Sequence, residues 1–224
     1  ESFITLVKRS HQLGMSVIID WSATAALDNE LAQKHKDWFA TTPKGKTKSD
    51  VLAFDFANNE VQSYMLEAMK YWIKKTDIDG FRFENAAVAS PDFWEKARHE
   101  LYAVKPVFMV ANSEKSDFKT TAFDAVYNSV FYDVITDISQ GKKSAKDLSV
   151  SLKQEKESFG TEAKSIRFTE MKGEKVSEGF GQADRSFAVL SYIMSDFPLL
   201  LNGQEAAFDN NLDAFEKGAN WKKM

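Results

Sequence analysis

Short apolar runs alternate with amphipathic helical stretches along this chain, and a chain built that way has few folds open to it. Apolar side chains at helical spacing over 3–13, closed by Gly14 as a C-terminal cap, lead into the β-branched run Val17-Ile18-Ile19. The clearest helix spans 58–75, where Val61, Tyr64, Met65, Ala68, Met69, Trp72 and Ile73 form one stripe behind Asn58, a candidate N-cap. Asp77-Ile78-Asp79-Gly80 turns the chain into Phe81-Arg82-Phe83-Glu84, and Ser90-Pro91-Asp92 opens another amphipathic helix carrying Phe93, Trp94, Ala97 and Leu101. The unit then recurs. Strands are expected over 107–111, 125–130, 166–169 and 198–201, the last of them buried. Helices are expected near 148–159, behind the capping-box sequence Ser144-Ala145-Lys146-Asp147, and over 187–194. Six strands separated by helices imply a parallel sheet with helices outside it, open and doubly wound or closed into a barrel; the pattern alone does not separate these. The turn-rich polar stretch 41–46 is expected to be a surface excursion.

At 224 residues, 43% of them apolar, the chain is long enough for one large α/β domain with a sizeable core. Its formal net charge of -4, with both signs interspersed, offers no footprint for nucleic acid or an anionic membrane surface. The absence of cysteine excludes a disulfide framework and thiolate metal sites but leaves the compartment open. No apolar run approaches the roughly 20 residues of a membrane span, and the first residues lack the features of a signal peptide. His11, His35 and His99 lack metal-ligand spacing and read as surface or helix-face residues.

In parallel α/β folds chemistry gathers at the C-terminal ends of the strands. The polar residues there are Asp20-Trp21, Arg82 with Glu84, Asn112 with Glu114, Glu170 with Lys172, and Gln204-Glu205. A polar residue at one strand end is ordinarily a loop residue or a cap; several together carry more weight. The segments 6–21 (LVKRSHQLGMSVIIDW), 77–82 (DIDGFR), 107–111 (VFMVA) and 198–206 (PLLLNGQEA) resemble the α-amylase family, glycoside hydrolase family 13, in order and spacing. The resemblance implies a TIM-type (β/α)8 barrel in which this chain supplies the third to eighth strands and lacks the first two. It makes 1–224 a single, partial barrel domain with a short excursion at about 26–52 and no C-terminal β-domain. A barrel short of two strands has open edges. The expected partners are therefore an α-glucan or other oligosaccharide and a protein that covers the incomplete barrel.

Members of that family hydrolyse α-glucosidic bonds with retention, using a carboxylate nucleophile and a carboxylic acid that protonates the leaving oxygen. The resemblance puts the nucleophile two residues after Arg82, where the family has aspartate and this chain has Glu84. The extra methylene moves the attacking oxygen by roughly an ångström, a misplacement that can cost about a hundredfold in rate. It puts the acid at Asn112, and an amide has no such proton to give. Glu114 is a poor substitute, since its family counterpart is an acidic residue beside the true acid. The seventh-strand His-Asp pair falls at Lys172-Gly173, which removes a third carboxylate; Glu170 lies nearby, with the plain reading of a solvated glutamate. In the third-strand motif Asp20 persists, whereas Thr24-Ala25 replaces the asparagine and the sugar-binding histidine. That asparagine is a calcium ligand in many relatives, so neither a metal nor another cofactor is expected. Trp21, Phe83 and Trp38 can stack on sugar rings, although aromatics at barrel strands more often belong to the core.

Glu84, Asn112 and Arg82 are thus the expected catalytic positions, in degenerate form. Asp20, Trp21, Glu170, Lys172 and Gln204 are the expected substrate-binding ones. The expectation is an α-amylase-like scaffold that has lost hydrolysis and keeps a glycan-binding or structural role. The alternative is an active α-glucan hydrolase or transglycosylase pairing Glu84 with an unusual acid, Glu114 or Glu170, which requires two carboxyl groups about 5–5.5 Å apart.

Overall fold

The structure, a computed structural model, describes residues 1–40, 51–112, 121–127, 129–159, 164–169, 180, 183–194, 196–202 and 204. Two compact units, Glu1–Asp124 and Ala125–Met224, divide the chain. The first unit opens with α1 (Ser2–Gln12), after which Gly14 at φ +76° turns the chain in the left-handed region that glycine enters without a Cβ clash. It enters β1 (Ile18–Trp21). A small antiparallel pair follows, β2 (Thr24–Ala26) on β3 (Val51–Ala53), with the short α2 (Glu30–Lys34) between them. The expected excursion at 41–46 lies outside the described residues.

The helix α3 (Asn59–Thr76) begins where the Asn58 side chain accepts the Glu60 amide at 2.8 Å and stops at Asp77, left-handed at φ 61°. It buries Val61, Met65, Leu66, Met69 and Ile73, each worth roughly 1.5–3 kcal/mol of transfer from water. Behind it come β4 (Gly80–Phe83), α4 (Pro91–Tyr102) and β5 (Phe108–Ala111). Ser90 caps α4 through the Phe93 amide, Pro91 fills its first turn, and Phe93, Trp94, Ala97 and Leu101 are buried, as the sequence implies. Arg98 of α4 grips Asp124 with two hydrogen bonds of 2.7 and 2.6 Å, and Asp124 in turn accepts the Met109 amide.

The second unit comprises β6 (Ala125–Tyr127), α5 (Ser129–Ser139), α6 (Ala145–Phe159), β7 (Lys164–Arg167), α7 (Asp184–Ile193) and β8 (Phe197–Pro198). Half of the capping box forms: the Ser144 amide donates to Asp147 Oδ2 at 2.7 Å, but the Ser144 hydroxyl donates to the same oxygen at 2.8 Å and the Asp147 amide goes to the Ser144 carbonyl at 3.0 Å. Phe131, Ile135, Phe180 and Phe187 make its core. A buried ion pair crosses from β7 to α6. Arg167 Nη2 reaches both Glu155 oxygens at 2.8 and 2.9 Å, Arg167 also donates to the Met194 carbonyl, and its guanidinium covers the Phe131 ring.

β1, β4, β5, β6, β7 and β8 form one six-stranded sheet in chain order, with parallel pairing, so the fold is α/β as expected. Among the described residues no helix is long and apolar enough to cross a membrane. Three expectations need correction. The strand expected over 125–130 stops at Tyr127, because Phe131, Val134 and Ile135 bury themselves at helical spacing in α5, a helix the sequence reading missed. The strand expected over 166–169 is shifted two residues earlier, its main chain pairing with β6 from Lys164. The buried strand expected over 198–201 is a two-residue strand, and Leu200 beyond it is 47% exposed.

Two stability measurements follow from this packing. A Cβ at Gly80 drives into the Phe108 carbonyl oxygen of the neighbouring strand, so Gly80→Ala should cost about 2–3 kcal/mol in denaturant unfolding. Arg167→Met should cost about 3 kcal/mol by stranding Glu155, and Arg167→Met with Glu155→Leu should cost less than the single change.

Candidate active site

Strand register decides which side chains meet. In the parallel pair of β1 and β4, Asp20 stands opposite Arg82 and Trp21 opposite Phe83; in that of β4 and β5, Phe83 stands opposite Ala111. Because successive side chains alternate between faces, Asp20 and Arg82 share one face while Trp21, Phe81 and Phe83 share the other. On that second face Phe81 and Phe83 are buried, Phe83 packing 4.5 Å from the Trp94 ring of α4. Trp21 meets Phe81 edge-on at 5.5 Å. Trp38 is likewise buried, with its indole N–H donated to Glu60 at 3.0 Å, so Phe83 and Trp38 are core residues.

Arg82 gathers the first face. Its Nη1 lies 3.1 Å from Asp20 Oδ1 and 2.6 Å from Glu84 Oε1, so two carboxylates converge on one guanidinium nitrogen. Both carboxylates are open to solvent, 66% and 49% exposed, and pairs of that kind contribute about 0–1 kcal/mol to stability. They define a charged, accessible strand-end surface more than they hold the fold together.

The main chain locks these ends in step. Glu84 donates its amide to the Trp21 carbonyl at 3.0 Å, and Asn112 donates its own to the Phe83 carbonyl at 2.9 Å. The next residue on, Asn85, is left-handed at φ 51°, a conformation asparagine tolerates better than most residues. The turn it makes lets the Ala86 amide reach the Asn112 carbonyl at 3.0 Å. Continuing the register one residue past Phe83 and Ala111 makes Glu84 and Asn112 cross-strand neighbours. Asp20, Arg82, Glu84 and Asn112 therefore belong to one cluster of strand ends in the first unit.

In the second unit the amide of Gln204 is engaged at both ends. Its Nε2 donates to Thr169 Oγ1 at 2.7 Å, and its Oε1 accepts the Leu201 amide at 3.2 Å. Glu114, Glu170, Lys172 and Glu205 lie outside the described residues. One residue discounted in the sequence, His11, is bonded to Asp79, whose 68-residue separation left no local signal.

No family profile matches the chain. It is 31% identical over 156 residues to a cyclomaltodextrinase of Geobacillus thermopakistaniensis, covering 57% of this chain and 26% of that protein. It superposes on the crystal structure of a noncanonic maltogenic α-amylase, AmyB, from Thermotoga neapolitana with a TM-score of 0.85 and 31% identity, over 98% of this chain and 54% of that one. An α-amylase from Geobacillus thermoleovorans, solved in complex with acarbose, shares the fold at 20% identity and a TM-score of 0.76, over 94% of this chain and 54% of that one. The chain belongs to the α-amylase family, glycoside hydrolase family 13, and its six-stranded parallel sheet matches part of the family's (β/α)8 barrel domain. It spans about a quarter of the cyclomaltodextrinase and about half of each solved relative.

Because both ends of the Gln204 amide are occupied within the protein, Gln204→Leu should lower stability by about 1–2 kcal/mol in denaturant unfolding.

Proposed function

We propose that this protein is an α-amylase-type scaffold that binds α-glucan at its strand ends without hydrolysing it. In this reading the six strands correspond to the third to eighth strands of the barrel, 1–224 belong to one barrel domain, and the segment at about 26–52 is an excursion after the third strand. Glu84 then occupies the nucleophile position, Arg82 its guanidinium partner, and Asn112 the position of the acid. Asp20, Trp21, Glu170, Lys172 and Gln204 are the sugar-contacting positions.

The observation that carries the reading is the amide of Asn112 beside the ion cluster of Asp20, Arg82 and Glu84. Breaking a glucosidic bond with retention requires one carboxylate to attack and one carboxylic acid to protonate the departing oxygen. Asn112 has no acidic proton. Asp20 and Glu84 are both paired with the same Arg82 nitrogen, so each carboxylate is already engaged as an acceptor within the cluster. Glu84 also carries its carboxylate one methylene farther from the strand than an aspartate does, which by itself is worth about a hundredfold. What survives is a polar, charged rim suited to the hydroxyls of an oligosaccharide.

The test uses a maltooligosaccharide and an activated aryl α-glucoside with purified protein, and Glu84→Ala as the matched control. The expected result is no turnover of either substrate above the control. Calorimetry should show maltooligosaccharide binding that Arg82→Met weakens about tenfold, or about 1.4 kcal/mol. Turnover that vanishes in Glu84→Ala would make Glu84 a working nucleophile and overturn the reading.

A further inference from the structure

At the opposite ends of the same strands a second charged group sits in the connection from α3 to β4. Asp79 Oδ2 accepts the Val17 amide at 2.7 Å and His11 Nε2 at 2.8 Å, while Oδ1 accepts Lys105 Nζ at 3.0 Å. Its main chain adds two more links: its amide donates to the Val17 carbonyl, and its carbonyl accepts the Phe108 amide, each at 2.7 Å. One residue therefore fastens the end of α1, the start of β1, the start of β4 and the start of β5.

The charged groups facing Asp79 come from three places. His11 comes from α1 and Lys105 from the connection between α4 and β5. Asp77, on the same connection as Asp79, lies 2.7 Å from Lys105 and 3.7 Å from His11 Nδ1. An ionised carboxylate can only accept, so His11 must carry its proton on Nε2. Protonation of Asp79 removes an acceptor charge from three donors at once.

Among the described residues, apolar packing at this corner is sparse. Val7 is the one fully buried residue of α1, Leu6 and Leu13 are exposed, and no residue of β1 is fully buried. Phe3 adds an edge contact to Trp72. Segments with so few buried apolar contacts open locally at lower free energy than the core around them.

The geometry points to Asp79 as an acid-sensitive latch whose protonation frees α1 and β1 from the sheet while α3 and α4 stay folded. Burial works against ionisation of Asp79, but the hydrogen bonds from Val17, His11 and Lys105 outweigh it and hold the carboxyl below the usual aspartate range. A carboxylate depressed in the folded state contributes stability that is complete above its unfolded value and fades as pH falls through the folded one. The far end of β1 carries Asp20 and Trp21, so release of the latch also loosens Asp20 from Arg82. The inference concerns the strand starts and stands whether or not the strand ends bind glucan.

Hydrogen exchange followed by mass spectrometry across a pH series, corrected for intrinsic exchange rates, tests it on the full chain. Residues 1–21 should lose protection severalfold on acidification at a pH where α3 and α4 keep theirs. Lys105→Met, which removes one donor, should move that loss to higher pH; Asp79→Asn, if it folds, should leave 1–21 unprotected already at neutral pH. The latch is refuted if 1–21 opens only together with α3 and α4, if it stays protected where they are still folded in acid, or if Lys105→Met leaves the transition where it was.

Discussion

The register of β1 on β4 and of β4 on β5 is the constraint on which the rest of the first unit depends. Gly80 lets β4 approach Phe108 closely, and the reciprocal bonds between Asp79 and Val17 start the pairing with β1. Three residues later the same register delivers Asp20 opposite Arg82, two residues before Glu84. A slip of one residue would exchange the faces, turning Asp20 inward against Phe81 and Phe83 and Trp21 outward. Strand pairing, more than the weak exposed ion pairs themselves, keeps the charged cluster in place.

That division of labour makes the frame of the strand ends independent of the side chains it carries. Glu84, Asn85 and Asn112 are tied by main-chain hydrogen bonds, which are indifferent to the side chains attached. In the proposed reading, an amide at Asn112 in place of a carboxylic acid leaves the strand ends where they are. In that reading it removes proton transfer, the one step that depends on that side chain. The likeness to a maltogenic α-amylase over 98% of the chain is a likeness of that frame.

Much of this was legible in the sequence where the signal is local. The helices α3 and α4 are announced by Asn58 and by Ser90-Pro91; the stripe of α4 maps onto its buried residues, whereas in α3 Val61, Met65, Met69 and Ile73 are buried, Tyr64 and Trp72 are exposed, and Leu66, outside the expected stripe, is buried. The helix α5 was not, because Val130, Phe131, Val134 and Ile135 are as much at home in a strand, and only the packing of Phe131 and Ile135 in one cluster with Phe187 decides for a helix. At the site, the pairing of Arg82 with Glu84 is readable from their spacing. Asp20 reaching Arg82, His11 reaching Asp79 and Gln204 reaching Thr169 join residues 62, 68 and 35 positions apart, and nothing short of the strand order reveals them. Trp21 shows the converse: its place beside Asp20 in sequence suggests a shared task, whereas alternation sends the two side chains to opposite faces.

A crystal structure of the protein grown with maltohexaose tests the central claim most directly. The account predicts an uncleaved oligosaccharide lying across the strand ends, with hydroxyls on Asp20, Arg82 and Glu84 and its glucosidic bond intact beside Asn112. A cleaved sugar, a glycosyl group on Glu84, or an oligosaccharide bound away from these strand ends would contradict it.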